Sequence, residues 1–168
     1  LDSDSRKVTP VLIDPNKLVL EVSRSLIPTA KVKSVAMRLH KLGDPPVLIG
    51  VKKELQQVLY NLLDNAIKFS PRGGEIGIHL FLDRDNDMLV YRITDQGPGV
   101  SDKEQSLIFS KYYRAKNARN HMDGVGLGLS ISKRIIQFHG GEIYVKNNED
   151  AGCSFFCALP CEVDQKVA

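Results

Sequence analysis

A long amphipathic pattern at residues 55–70 is the strongest structural signal in the chain. At about 100° per residue its apolar side chains fall on one broad side, which predicts a helix that begins near Val51 and ends before Pro71. A solvated helix face more often carries Glu/Lys pairs four residues apart. The opposite arc of this helix therefore indicates either a site for a cation and its anion or an ordinary surface face; it carries Gln57, Asn61, Asp64, Asn65 and Lys68.

The rest of the chain alternates extended and helical patterns. An extended segment at residues 8–13 leads to Asp14-Pro15, an N-cap followed by proline at the first helical position, which predicts a helix to about Ile27. Alternating apolar residues and polar connections predict the remaining elements. These are strands at 32–40 and 47–49, a hairpin of strands at 75–82 and 88–94, a short helix from Ser101 or Asp102 to Phe109, a helix at 129–139, and a hairpin of strands at 142–146 and 153–159.

Composition sets limits on the class of protein. The chain has 168 residues, of which 42% are hydrophobic and 26% charged, which is typical of one globular domain, here predicted at residues 1–161 with a polar tail at 162–168. A net charge of +3 is too small to indicate nucleic acid binding. No apolar run approaches the roughly 20 residues that a membrane span needs. We therefore expect no membrane contact from this chain.

Three cysteines indicate the compartment rather than a site. Cys153, Cys157 and Cys161 are odd in number and form no C-x-x-C pair. Free thiols in a reducing, cytoplasmic environment are the simplest interpretation. Because Leu1 is not an initiator methionine, we expect the chain to be part of a longer protein, and a membrane anchor of that protein would lie outside it.

Two glycine-rich stretches separate the predicted elements. Asp95-Gln96-Gly97-Pro98-Gly99 places a carboxylate at a strand end beside bare backbone, which is either a ligand contact or simply a turn. Gly124-Val125-Gly126-Leu127-Gly128 opens a helix with free N–H groups that suit phosphate oxygens, although a glycine-rich hinge would have the same pattern. Residues 111–123 between them are aperiodic and basic, which is typical of a mobile loop.

Four motifs, in this order, resemble the N, G1, F and G2 boxes of the catalytic ATP-binding domain of sensor histidine kinases. They are NLLDNAIKF, DQGPG, IFSKYYR and GVGLGLSI, which begin at residues 61, 95, 108 and 124. This domain belongs to the Bergerat-fold superfamily, which includes DNA gyrase and MutL. The resemblance implies an α+β fold, a two-layer α/β sandwich. Its mixed, mostly antiparallel five-stranded sheet would carry three helices on one face, together with an ATP lid.

The resemblance also implies roles for the matched residues. Asp95 would accept a hydrogen bond from the adenine amino group, and Asn65 would be the protein ligand of Mg²⁺, a cation that commonly takes only one or two protein oxygens. Asn61 and Lys68 would be the catalytic residues that face the phosphates. Phe69 would lie against adenine. The other implied ATP contacts are Gly97, Gly99, Phe109, Tyr112, Gly124, Gly126, Leu127 and Gly128, with residues 109–123 as the lid.

Two features depart from the family pattern. Gly50 is followed by Val51 where the family usually has Gly-Asp, so the usual carboxylate cap of the long helix is missing. The four histidines do not match the family's phosphoacceptor motif, and we expect His139 instead to close its helix and His121 to be exposed. The resemblance therefore implies that the acceptor histidine lies upstream of Leu1.

The implied function is that of the catalytic half of a protein-histidine kinase. It would bind Mg²⁺·ATP and donate the γ-phosphoryl to its own upstream dimerisation domain, from which a response-regulator aspartate would take it. The parent protein would be a homodimer. Two alternatives stay open: a degenerate nucleotide-binding module that regulates a partner, and an anti-sigma-type serine kinase of the same superfamily.

Overall fold

The structure is a computed structural model that describes residues 8–114 and 127–162. Helices and strands occupy most of the positions that the sequence pattern predicts. In chain order they are β1 (Val11–Ile13), α1 (Pro15–Ser25), α2 (Ile27–Val32), β2 (Ala36–His40), β3 (Leu48–Gly50), α3 (Lys52–Phe69), β4 (Glu75–Asp83), β5 (Met88–Thr94), a 3-10 turn (Leu107–Phe109), α4 (Gly128–Phe138), β6 (Glu142–Asn147) and β7 (Cys153–Pro160).

Five strands form the main sheet in the order β2-β4-β5-β7-β6. Strand β2 runs parallel to β4, and the other neighbours are antiparallel. Strands β1 and β3 form a separate two-stranded sheet. The predicted mixed, mostly antiparallel five-stranded sheet is confirmed, as are both predicted hairpins.

Helices α1, α3 and α4 pack side by side, with α3 in contact with both neighbours. The predicted apolar side of α3 is buried, and Leu62 and Leu63 are fully inaccessible to solvent. Tyr91 on β5 is also fully buried, and its hydroxyl donates to the carbonyl of Pro15 at the start of α1 over 2.9 Å. The core therefore lies between these helices and the sheet, as the predicted sandwich requires. No helix within residues 8–114 and 127–162 is long and apolar enough to cross a membrane.

The predicted boundaries after α1 are wrong. Helix α1 ends at Ser25, two residues before the predicted end at about Ile27, and α2 covers Ile27–Val32, so Val32, where a strand was predicted to begin, is helical. Pro28 lies in the first turn of α2, where its missing N–H costs nothing, whereas within a continuous helix it would break a hydrogen bond. Strand β2 begins only at Ala36, after Ser34 reverses the chain with a φ of 57°.

The prediction of a short helix that ends at Phe109 is also wrong. Its segment consists of turns, with a single 3-10 turn at Leu107–Phe109. The amide of Ile108 donates to the carbonyl of Glu104 over 2.9 Å, but Ser110 is extended and ends the turn.

Helix α3 begins without a side-chain cap, as the missing carboxylate predicts. The N–H of Val51 instead donates to Nε2 of His139 over 3.0 Å. His139 also contacts the carbonyl of Ile135 through Nδ1 at 2.8 Å, which confirms its expected position at the end of α4. A Cβ on Gly50 would lie 2.7 Å from the imidazole, so only glycine leaves room for this link between α3 and α4.

Candidate functional site

The polar side of α3 meets two other segments. At its C-terminal end the carbonyl oxygen of Phe69 lies so close to Gly97, just after β5, that a Cβ there would be 2.6 Å away. Near its middle, Asn61 hydrogen-bonds to Gly128, the first residue of α4. The structure therefore brings three of the four predicted motifs together along one side of α3.

Asp95 is almost completely buried at the end of β5, with 3% of its surface exposed. Its Oδ1 accepts from the N–H groups of Gly97 at 2.9 Å and Cys153 at 3.3 Å. The only described donor to Oδ2 is the thiol of Cys153, at 3.5 Å. Because a thiol is a weak donor, Oδ2 keeps the capacity to accept a hydrogen bond from a ligand.

The protonation of this pair follows from burial. Burial raises the pKa of Asp95, and the hydrogen bonds from Gly97 and Cys153 oppose that shift. Burial raises the pKa of the Cys153 thiol much further, and the charge of Asp95 adds to the effect. Cys153 therefore stays a neutral thiol that donates to the carboxylate.

Three residues around Asp95 were not predicted from the sequence. Besides Cys153, Asn148 donates from Nδ2 to the backbone carbonyl of Asp95 over 3.0 Å. Gly152 approaches that carbonyl so closely that a Cβ would lie 2.2 Å from the oxygen. All three lie on β7 or in the turn before it. Strand β7 pairs with β5 so that Ser154 lies opposite Thr94, which brings these residues next to Asp95. The hairpin was predicted, but the strand that it would pair with was not.

The polar arc of α3 contains one ion pair and two side-chain amides, of Gln57 and Asn65, that have no hydrogen bond within the described ranges. Lys68 Nζ lies 2.9 Å from Asp64 Oδ2, and both side chains are partly exposed. No residue within the described ranges hydrogen-bonds to the half-buried amide of Asn65. Gln57 is exposed. The arc therefore separates into a solvated beginning and a half-buried stretch whose amide oxygen is available.

Asn61 faces α4. Its Nδ2 donates to the carbonyl oxygen of Gly128 and to Oγ of Ser132, each over 3.2 Å. Sequence reasoning did not identify Ser132, because its position within a helix of largely apolar pattern gives no signal of a polar contact.

Helix α4 begins without a capping side chain at Leu127. The first hydrogen bond of the helix runs from the N–H of Ile131 to the carbonyl of Leu127. The N–H groups of residues 128–130 therefore have no partner within the helix. A Cβ on Gly128 would meet nothing closer than Asn61 Cγ at 3.6 Å, so protein packing does not require glycine there. Gly124 and Gly126 lie outside the described residues.

The aromatic residues of the predicted site lie in different environments. Phe69 is half-buried at the end of α3. Phe109 is 7% exposed and meets the edge of Phe155 at 6.2 Å between ring centroids, so it belongs to the apolar core. Tyr112 is exposed, with a φ of 62°. The predicted contacts of these residues with a nucleotide stay predictions, and residues 115–123 of the predicted lid, with His121, lie outside the described ranges.

The donor set fits Mg²⁺ better than a metal that prefers nitrogen or sulfur. No group of three His, Cys, Asp or Glu side chains within residues 8–114 and 127–162 could hold a metal. The amide oxygen of Asn65, which has no hydrogen-bond partner within the described ranges, instead suits a cation that keeps waters and phosphate oxygens as most of its ligands.

Comparison with known proteins agrees with this geometry. Residues 50–163 match the family described as "Histidine kinase-, DNA gyrase B-, and HSP90-like ATPase". The adaptive-response sensory kinase SasA of Prochlorococcus marinus (strain MIT 9313) is 34% identical over 128 residues, which are 76% of this chain and 34% of that protein. The chain thus spans about a third of the length of this curated relative.

Solved structures share the fold. The mycobacterial sensor histidine kinase MprB aligns with a TM-score of 0.77 and 29% identity over 91% of this chain and 97% of that chain. Histidine kinase ThkA, in a complex with the response regulator protein TrrA, aligns with a TM-score of 0.76 over 94% of this chain and 43% of that chain. At 22% identity, this second likeness concerns the fold alone.

The family match covers more than half of the chain, and it includes the helix with Asn61 and Asn65 and the strand end with Asp95. The chain therefore belongs to the histidine kinase-, DNA gyrase B- and HSP90-like ATPase family, as a catalytic ATP-binding domain of the sensor-histidine-kinase type.

Proposed function

We propose that this domain binds Mg²⁺·ATP and donates the γ-phosphoryl group to a histidine on a separate dimerisation domain of its parent protein. The observation that carries the proposal is the buried Asp95, whose Oδ2 can still accept a hydrogen bond, beside the amide-bearing side of α3. A response-regulator aspartate would then take the phosphoryl group. The parent protein would be a cytoplasmic or membrane-anchored homodimer.

Asp95 would read the adenine. Its Oδ1 is already held by two backbone N–H groups, so the open Oδ2 would accept from the exocyclic amino group. A hydrogen bond to a charged acceptor contributes roughly 1.5–3 kcal/mol. Guanine presents a carbonyl at the equivalent position, which would face Oδ2 acceptor against acceptor, so we expect GTP to bind poorly.

The phosphate end would be held by α3 and α4. The free amide oxygen of Asn65 would coordinate Mg²⁺, which when bound neutralises phosphate charge. Lys68 is paired with Asp64, but a partly exposed pair of this kind contributes only about 0–1 kcal/mol, so its ammonium can turn to a phosphate at little cost. The unpaired N–H groups at the start of α4, from Gly128 onward, would bind phosphate oxygens.

Asn61 distinguishes transfer from hydrolysis. A water molecule that attacks the γ-phosphate is helped by a general base, which contributes typically 10²–10⁴-fold. Asn61 lies one helical turn before Asn65, and its amide cannot take a proton. We therefore expect the isolated domain to bind Mg²⁺·ATP and to hydrolyse it at a rate near background.

The test is phosphotransfer from labelled ATP. The domain is incubated with Mg²⁺ and γ-³²P-ATP, alone and with the histidine-bearing domain of its parent protein. We expect no label on the isolated domain and an acid-labile, base-stable label on the added domain. A histidine-to-glutamine variant of the added domain is the control and should stay unlabelled. Failure to label the intact acceptor despite bound ATP, or rapid release of phosphate by the isolated domain, would refute the proposal.

A further inference from the structure

The amide of Asn61 is fixed by two acceptors on α4. Its Nδ2 lies 3.2 Å from the carbonyl oxygen of Gly128 and 3.2 Å from Oγ of Ser132. Ser132 is completely buried between the helices, so no solvent competes for its hydroxyl. Both hydrogens of the Asn61 amide can therefore be used by α4, one on each acceptor.

These contacts decide which way the amide points. A backbone carbonyl can only accept a hydrogen bond, so the atom of Asn61 that faces Gly128 must be the nitrogen. A flipped amide would set Oδ1 against the carbonyl oxygen and leave two half-buried acceptors opposed. Oδ1 therefore points away from α4, and none of the described residues hydrogen-bonds to it.

We propose that Ser132 is a positioning residue for the nucleotide site: with the Gly128 carbonyl, it holds Asn61 so that Oδ1 is presented to the Mg²⁺·triphosphate group. This inference rests on the proposed function. An oxygen presented in this way can coordinate the hard cation or one of its waters, whereas an –NH₂ group cannot. The same contact fixes Oδ1 relative to the first residue of α4, whose N–H we assign to the phosphates.

Ser132 matters because the Gly128 contact alone leaves the amide less constrained. Without the hydroxyl, one N–H of Asn61 loses its acceptor in a half-buried place, and the side chain gains freedom to rotate. Part of the conformational entropy of the Asn61 side chain is then lost only when the ligand binds, which weakens the binding. The loss should appear only for ligands that carry the metal and the phosphates.

Ser23 provides a control on α1, outside the proposed site. It is 8% exposed, and its hydroxyl donates to the carbonyl of Val19 over 2.6 Å. Its side chain has no hydrogen bond to Asn61 among the described contacts. Ser23→Ala therefore removes a buried helical hydroxyl of the same kind and leaves Asn61 untouched.

The experiment compares Ser132→Ala with Ser23→Ala by calorimetry, with Mg²⁺·ATP and with adenosine as ligands. We expect Ser132→Ala to weaken Mg²⁺·ATP about three- to tenfold, the effect of one neutral hydrogen bond. Adenosine affinity should not change in either variant, and Ser23→Ala should bind Mg²⁺·ATP within about twofold of the wild type. Equal losses in the two variants, or a loss that adenosine shares, would make Ser132 merely structural and overturn the inference.

A second measurement needs no variant. In the wild-type domain, nuclear Overhauser effects should connect the Asn61 side-chain amide protons to the β protons of Ser132, with slow exchange of those amide protons. Freely exchanging protons without such contacts would overturn the inference even if Ser132→Ala did not fold. Absence of any Mg²⁺·ATP binding by the wild type would instead refute the proposed function, which keeps the two failures distinct.

Discussion

Asp95 belongs to the proposed adenine end of the candidate site and Asn65 to the proposed phosphate end, and the two side chains differ in how many hydrogen bonds they make within the protein. Asp95 is 3% exposed, its Oδ1 accepts two backbone N–H groups, and its backbone carbonyl is bonded to Asn148. Asn65 is half-buried, and its amide has no hydrogen bond to any residue within the described ranges. Asp95 is thus held by the sheet and the turn beside it. At the second end Asn61 and Lys68 have partners, but the Asn65 side chain has none within the described ranges.

The difference teaches which part of recognition is built into the fold. At the proposed adenine end a carboxylate is already buried in the folded protein, and burial raises the pKa of Asp95. At the proposed phosphate end, the amide oxygen of Asn65 and the first N–H groups of α4 can still bind a ligand, and a metal ion and a triphosphate would occupy them. Adenine recognition should therefore be independent of Mg²⁺, whereas phosphate recognition should depend on it.

The largest expected effect comes from Asp95→Asn. Loss of a charge-assisted hydrogen bond should weaken ATP by about 10- to 150-fold, and adenosine by a similar factor. Calorimetry with both ligands measures this. An unaffected variant, or a wild type that binds ATP and GTP equally, would contradict the role of Asp95 at the adenine end.

The same variant should not be less stable at neutral pH. The pKa of Asp95 is raised in the folded state, so its charge opposes folding above that pKa and costs nothing well below the unfolded value of about 3.9. The free energy of unfolding of the wild type should therefore fall as pH rises from about 3.9 through the raised pKa, because Asp95 becomes charged in the folded protein. The free energy of unfolding of Asp95→Asn should show no such fall from this position. Thermal unfolding from about pH 3 to 7 measures the difference between the two profiles. Parallel profiles would show that Asp95 carries no such cost.

A smaller effect is expected at the phosphate end from Gly128→Ala. The structure leaves room for the methyl group, so the fold should tolerate it. The methyl group would nevertheless obstruct the approach of a phosphate to the N–H groups, and we expect Mg²⁺·ATP to bind about tenfold more weakly. Adenosine binding should stay the same. Gly43→Ala, at a position with nothing within 4 Å of the new methyl group, is the control. Equal behaviour of the two variants would remove Gly128 from the site.

The smallest effect is expected from Asp64→Asn. Its ion pair with Lys68 is partly exposed, so the free energy of unfolding should fall by less than about 1 kcal/mol. Freed from the carboxylate, Lys68 should bind phosphate as well as before, which keeps the Mg²⁺·ATP affinity within about threefold. Chemical unfolding and calorimetry measure the two quantities. A collapse of binding would instead make Asp64 a direct part of the phosphate end.

The sequence predicted the elements of this comparison better than their contacts. The 3.6-residue period of α3 and the glycine motif after β5 are local signals, and the structure has both where they were expected. Cys153 and Asn148 lie next to Asp95 only because β7 pairs with β5. The hydrophobic period of a strand does not indicate which other strand it pairs with. His139 accepts a hydrogen bond from the N–H of Val51, the residue before α3, from 88 residues away, a contact that only the folded chain reveals.

The most direct measurement is a calorimetric titration of the wild-type domain with ATP and with adenosine, each in Mg²⁺ and again in EDTA. The two-ended site predicts that EDTA weakens ATP and leaves adenosine unchanged, since only the phosphate end needs the cation. ATP binding that EDTA does not weaken, or adenosine binding that requires Mg²⁺, would contradict the account. In that account the adenine end binds its ligand without metal, and the phosphate end needs Mg²⁺.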